Sequence, residues 1–199
     1  MQRYSHIIKF VFRLTGEIHK TLWRRDNLGI LSGNPKDEPM HDGEVFGVWS
    51  FITANNGLLS VYQAFINHAG DKDLKTMLEE AVRMMKDENK QASELLKANG
   101  IALPPALPDR PVASAEDIPV GARFMDPEIS AILAVNGASA LVGCSQIIGQ
   151  SIREDIGMMF GHFHMNKAQF SAKLLKLNKE KAWLIPPPLH VAPQLASVH

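Results

Sequence analysis

Five prolines, Pro104, Pro105, Pro108, Pro111 and Pro119, fall between residues 101 and 125, and long amphipathic stretches lie on both sides of them. Proline lacks the N–H that a helix or a central strand needs, so no regular element is expected in this segment. A long connection without structure is uncommon in a compact domain unless it has a distance to cover. The flanking helical patterns supply that distance: a helix over residues 72–99 would rise about 40 Å. A semi-extended proline-rich strap can retrace such a length.

Before the strap, two helices are expected. The first, helix A, runs from about His41 to His68, with Glu44 three residues into it as a capping-box partner. Its apolar stripe is Val45, Val48, Trp49, Ile52, Leu59, Tyr62, Phe65 and Ile66. The second, helix B, runs from about Lys72 to Asn99. Asp71 is its N-cap and Gly100 its left-handed stop. Its stripe is Leu74, Met77, Leu78, Ala81, Met85, Glu88, Ala92, Leu95 and Leu96. After the strap, Asp126-Pro127-Glu128 opens helix C as cap, first-turn proline and first-turn acid. Its stripe is Ile129, Ile132, Leu133, Asn136, Ala140, Gly143 and Ile147. Ser151-Ile152-Arg153-Glu154 reads as the capping box of helix D, whose stripe is Ile152, Ile156, Met159, Phe163, Asn166, Phe170, Leu174 and Leu177. Lys173, Lys176, Lys179 and Lys181 suit its C-terminal dipole. Short turns make A–B and C–D antiparallel hairpins, and the strap makes B and C parallel. The expected fold is therefore all-α: a ferritin-like four-helix bundle with a long Pro-rich crossover between helices B and C.

Residues 28–191 form this domain, and residues 192–199 are a tail. Residues 1–27 differ, with a basic, apolar-flecked composition. They read either as an amphipathic arm or, preferably, as translated leader. Arg24-Arg25-Asp26 can be encoded AGG-AGG-GAT, a bacterial ribosome-binding sequence, with Leu28 as a TTG start. CGN codons at Arg24 and Arg25 would end that idea. The 21 basic and 21 acidic side chains balance to zero formal charge, so nucleic acid is not an expected partner. A single cysteine, Cys144, rules out a disulfide within one chain and reads as a small buried hydrophobe, in keeping with a cytoplasmic location. No uncharged, uniformly apolar run reaches the length of a bilayer-spanning helix, so no transmembrane segment is expected. Exposed apolar stripes often lead such bundles to dimerise, so a second copy is one candidate partner, but the sequence does not give the oligomeric state.

Each stripe is broken near its midpoint by a polar residue: Asn56 on A, Glu88 on B, Asn136 on C and Asn166 on D. A polar group on an apolar seam costs stability unless it is paired, so a shared layer requires a reason. Ferritin-like carboxylate proteins place Glu and Glu-x-x-His at such levels to hold two metals. Here Glu88-x-x-Gln91 and Asn166-x-x-Gln169 keep the spacing but not the ligands. One carboxylate cannot balance two divalent cations, and amides bind them poorly. Glu88 with His162 would hold at most one iron or manganese ion. No cofactor is expected, and the preferred reading is a hydrogen-bonded layer of Asn56, Glu88, Gln91, Asn136, Asn166 and Gln169 that fixes helix register. Gln63, Gln146 and Gln150 would extend it, and Lys167 would reach Glu88 if it points inward. Met84, Met85, Met158, Met159 and Met165 read as core filler, or as an adaptable apolar binding groove. HExxH, CxxC and glycine-rich phosphate loops are absent, and no catalytic residues stand out.

Several blocks together resemble a known family: Glu44-Val45-Phe46-Gly47-Val48-Trp49, Asn67-His68-Ala69-Gly70-Asp71, Gly121-Ala122-Arg123-Phe124 with Asp126-Pro127-Glu128-Ile129, Ser151-Ile152-Arg153-Glu154-Asp155, and Trp183 through His190. They resemble an uncharacterised ferritin-like domain-of-unknown-function family of endospore-forming bacteria, distantly similar to spore coat protein F. The resemblance spans roughly residues 29–191. It implies the ferritin-like fold and a sporulation or spore-coat role with other spore proteins as partners, and it implies no established activity. Some members of the wider group carry histidine on helix B where this chain has Glu88, a departure that counts against an inherited metal site.

Overall fold

The computed structural model describes residues 38–188 and His190. The readings of residues 1–27 and of the tail 192–199 lie outside the described residues. The described residues form four long helices: α1 (Asp42–His68), α2 (Lys72–Ala98), α3 (Asp126–Gln150) and α4 (Glu154–Glu180). Among the described residues there are no strands.

The local signals act largely as expected for α1 and α2. His41 caps α1: its ring accepts from the Gly43 N–H, and Glu44 returns a bond to the His41 N–H, completing the capping box. The Asp71 carboxylate accepts from the N–H groups of Asp73 and Leu74 at the start of α2. Gly100, at φ 72°, follows the end of α2, where a left-handed residue lets the chain leave the helix.

Two starts differ from expectation. Met125, not Asp126, is the N-cap of α3, and the Asp126 carboxylate reaches the N–H groups of Gly70 and Asp71 instead. It thereby pins the α1–α2 turn to the start of α3. The Ser151 capping box does not form. Ser151 ends α3, its hydroxyl bonding the Ile147 carbonyl, while the buried Glu44 carboxylate accepts from Ile152 N–H (2.8 Å) and Arg153 N–H (3.0 Å). A charged carboxylate outcompetes a serine hydroxyl for those donors.

Residues 99–125 connect α2 to α3 and include two short 3-10 turns, Ala115–Asp117 and Val120–Ala122, which proline density had not suggested. Side chains of α1 hold this connection in chain order. Asn56 donates to the Pro105 carbonyl, Gln63 bonds Asp109 and the Arg110 N–H, Asn67 bonds Pro111 and Ala113, and His68 accepts from the Phe124 N–H. The chain thus returns to the α1–α2 turn before α3 begins. As a result α1–α2 and α3–α4 are antiparallel hairpins, with α1 packed on α3 and α2 on α4.

Core positions advance in alternating steps of four and three residues, the spacing of coiled-coil-like packing. On α4 they are Ile156, Phe160, Phe163, Lys167, Phe170, Leu174 and Leu177. The apolar side chains fall into two clusters. One contains Tyr62, Leu74, Leu78, Leu133 and Phe170. The other contains Val48, Ile52, Leu96, Cys144, Phe160 and Phe163. Met85 is in the core, whereas Met158 and Met165 are exposed, which corrects their reading as filler.

Candidate functional site: a buried polar layer and the groove beside it

Between the two apolar clusters lies a layer of polar residues from all four helices. Glu88 on α2 and Lys167 on α4 are 1% and 4% exposed and form an ion pair at 2.6 Å. The Asn55 amide on α1 donates to the same carboxylate oxygen at 3.4 Å. Lys167 also sits 5.4 Å from the Phe51 ring centroid, where the ring's negative face favours its charge. Asn136 on α3 lies beside the Tyr62 hydroxyl. With Asn55 and Lys167 it lines a cavity of about 30 Å³.

Burial pushes the Glu88 carboxyl above its ordinary value, and Lys167 and Asn55 pull it back. The arrangement is a neutral pair supported by the Asn55 amide; both bonds fall on Oε2, and among the described residues Oε1 of Glu88 is buried without a hydrogen-bond partner. The pair can fix the relative heights of the helices, since any axial slip leaves a charge buried without a partner.

The expected layer is partly displaced. Glu88 and Asn136 stand at the level assigned to them. Asn56 is replaced by Asn55, and Asn56 turns outward to Pro105 and Asn89. Asn166 is replaced by Lys167, and Asn166 is exposed. Gln91 and Gln169 are also exposed, Gln91 bonding Asp87 along its own helix. His162 is exposed, one position off the core-facing Phe163, so it does not join Glu88 as a ligand pair. The strict four-three count contained the signal: Ile52 plus three is Asn55, and Phe163 plus four is Lys167. Of the proposed extensions, Gln63 faces the α2–α3 connection, and Gln146 and Gln150 face the groove described below.

A ferritin-type metal pair does not fit these residues. The Lys167 ammonium holds Oε2 of Glu88, so a divalent ion beside that carboxylate would face a neighbouring positive charge. Among the described residues no three His, Cys, Asp or Glu side chains gather as a ligand group.

Beside the layer, α1 and α3 diverge around a groove of about 330 Å³ with Phe46, Phe51, Leu58 and Ile147 among its walls. At one end of the bundle, Arg153 is buried and bonds the Glu38 carbonyl, Asn99 and, through two nitrogens, Asp155. Sequence reading missed this clasp, because a lone arginine in a turn carries no periodic signal. At the other end Lys181 bridges Asp71 and Asp73, both at 2.7 Å.

A family described as proteins of unknown function, DUF3231, matches residues 28–195. The uncharacterized protein YvdQ of Bacillus subtilis is 58% identical over 164 residues, covering 82% of this chain and 96% of YvdQ. The crystal structure of a Bacillus halodurans protein, named as a candidate spore coat protein, is 62% identical. It superimposes with a TM-score of 0.79 over 80% of this chain and 100% of that one. A conserved hypothetical protein of Mycobacterium tuberculosis shares the fold alone, at 7% identity and a TM-score of 0.55 over 68% of this chain and 96% of its own.

Proposed function

The chain belongs to the DUF3231 family, and from that premise we propose that it is a non-enzymatic, ferritin-like bundle with a structural role in the spore. The observation that carries the spore assignment is the likeness to the Bacillus halodurans protein, 62% identical across that whole chain. The ferritin-like reading is supported by two antiparallel hairpins joined by a long proline-bearing link that leaves α2 and α3 parallel. The non-enzymatic reading is supported by the polar layer itself. Its charges neutralise one another, and the Asn55 amide bonds the same carboxylate oxygen that Lys167 holds, an arrangement suited to fixing helix register. In this reading the layer replaces a metal centre with an ion pair, and the protein acts through its surfaces on other spore proteins.

Two measurements test the proposal. Transcript timing and mass spectrometry of purified spores should place the protein in sporulating cells and in the spore extract; steady expression during growth with none in spores would sink the spore role. Elemental analysis of protein purified without chelators should give no stoichiometric metal. Iron or manganese at one equivalent, lost in Glu88→Ala, would overturn the structural reading of the layer in favour of the metal-binding one.

A further inference from the structure

Two of the four helices are almost bare of charge. From Val45 to Asn67 and from Ile129 to Ile152 there is no Asp, Glu, Lys, Arg or His. These are α1 and α3, one helix from each hairpin, which also pack on each other. The charged residues lie instead on α2 and α4, for example Lys75, Glu79, Arg83, Lys90, Lys173 and Lys176. An outward helix face normally carries charge, so the bundle has one ordinary side and one bare one.

The bare side is not hidden inside the molecule. On α3, residues Ala131, Val135, Ala138, Val142, Ser145 and Gly149 are all exposed and recur at four-three spacing. This is a second seam, on the helix side opposite Ile129, Leu133 and Ile147. Val135 and Val142 are 66% and 68% exposed, and Phe46 on α1, at the lip of the groove, is 71% exposed. The stretch Val120–Gln150 is long and apolar enough to cross a membrane by length and composition, yet only 17% of its most apolar window is buried. This qualifies the sequence expectation, which counted only unbroken apolar runs.

We propose that the α1–α3 face is the interface of a homodimer, with α3 packed on α3 of a second copy. The area suits this occupant. The charge-free part of α3 is about 33 Å long at the helical rise, and two adjacent helices present a face about 20 Å wide. That is roughly 700 Å² per copy, close to the ~800 Å² per partner typical of a stable specific complex. The chemistry suits it as well. A two-fold interface sets the same patch against itself, so a patch without charge meets no like-charge repulsion at the axis. The alanines, Ser145 and Gly149 permit close approach of the helices, while Val135 and Val142 supply knobs for a four-three seam. A membrane is a poorer fit, because Asp126 and Glu128 at one end and Arg153, Glu154 and Asp155 at the other leave no cluster of basic residues to meet anionic lipid. This inference does not rest on the spore role.

The test is sedimentation equilibrium of the full chain, wild type and Val135→Arg/Val142→Arg. The wild type is expected to be dimeric at micromolar concentration, and the variant to weaken the dimer at least a hundredfold. Its helical circular dichroism should be unchanged, because both sites are on the surface. Val112→Arg, 90% exposed on the α2–α3 connection, should remain dimeric. A wild type that stays monomeric overturns the proposal, as does a dimer indifferent to the α3 substitutions. So does a monomer that floats with phosphatidylglycerol–phosphatidylethanolamine vesicles, with loss of flotation in the arginine variant; that last outcome assigns the face to lipid.

Discussion

Removing the Glu88 carboxylate tests the central layer most directly. In Glu88→Ala the Lys167 ammonium stays 4% exposed, with the Phe51 ring as its remaining favourable neighbour. Breaking one side of such a buried pair costs about 3–5 kcal/mol, mostly the penalty of an unpaired charge. Domains are stable by about 5–15 kcal/mol, so this loss is a large share of the total. For a chain of this size it corresponds to a midpoint lowered by roughly 6–20 °C. The paired replacement Glu88→Leu/Lys167→Met should behave differently. It removes both desolvation penalties, fills the layer with apolar volume and should return stability to near or above the wild-type level. Thermal and urea unfolding at pH 7, followed by circular dichroism, measure both. If the single variant costs less than about 1 kcal/mol, or the double is as unstable as the single, the reasoning about a desolvated neutral pair fails. The pH dependence adds a sign. Because burial raises the Glu88 pKa above its ordinary value of 4.5, the folded state binds that proton more tightly than the unfolded chain does. The Glu88 contribution is therefore largest below 4.5 and declines as pH rises through the folded value. Glu88→Gln should flatten that slope.

Three further outcomes follow from single sites. Gly100→Ala forces a Cβ onto a φ of 72° with open space around it, so the cost is backbone strain alone, about 1 kcal/mol, read as a lower urea midpoint. Asp71 is held below its ordinary value of 3.8 chiefly by Lys181, so its contribution is present above 3.8 and is lost as pH falls through the lower folded value. Lys181→Met should make acid unfolding begin at higher pH. The Cys144 thiol is fully buried and pushed up to about 11 by desolvation, so a thiol reagent at pH 8 should react only at the rate of unfolding; prompt reaction of the native protein would contradict its placement.

Much of the helical frame was legible because its signals are local. Asp71 and His41 cap through bonds to their own first turns, Gly100 acts through its own φ, and the four-three apolar spacing needs only one helix to be read. The first and last residues of α1 and α2 accordingly fall within one position of expectation. The misreadings have a common cause. Asn56 and Asn166 are polar residues one position away from the buried Asn55 and Lys167, and helix phase alone separates the two choices. A lysine on an apolar stripe is naturally assigned to solvent until its partner is known. The Asp126 carboxylate left its own helix for Gly70 and Asp71, and Glu44 displaced the Ser151 cap, because charged acceptors reached donors far away in sequence.

Sequence by itself determined that four amphipathic helices would form, where two of them begin and end, and that a proline-rich stretch would separate them into pairs. Those properties depend on backbone propensities and on periodicity, which act within a few turns. Tertiary structure decided which polar side chains meet, that Lys167 rather than a metal ligand answers Glu88, and that the charge-free sides of α1 and α3 lie together on one outer face. Burial and partner distance set the energy of a charge, and neither quantity exists until separate helices are brought against one another.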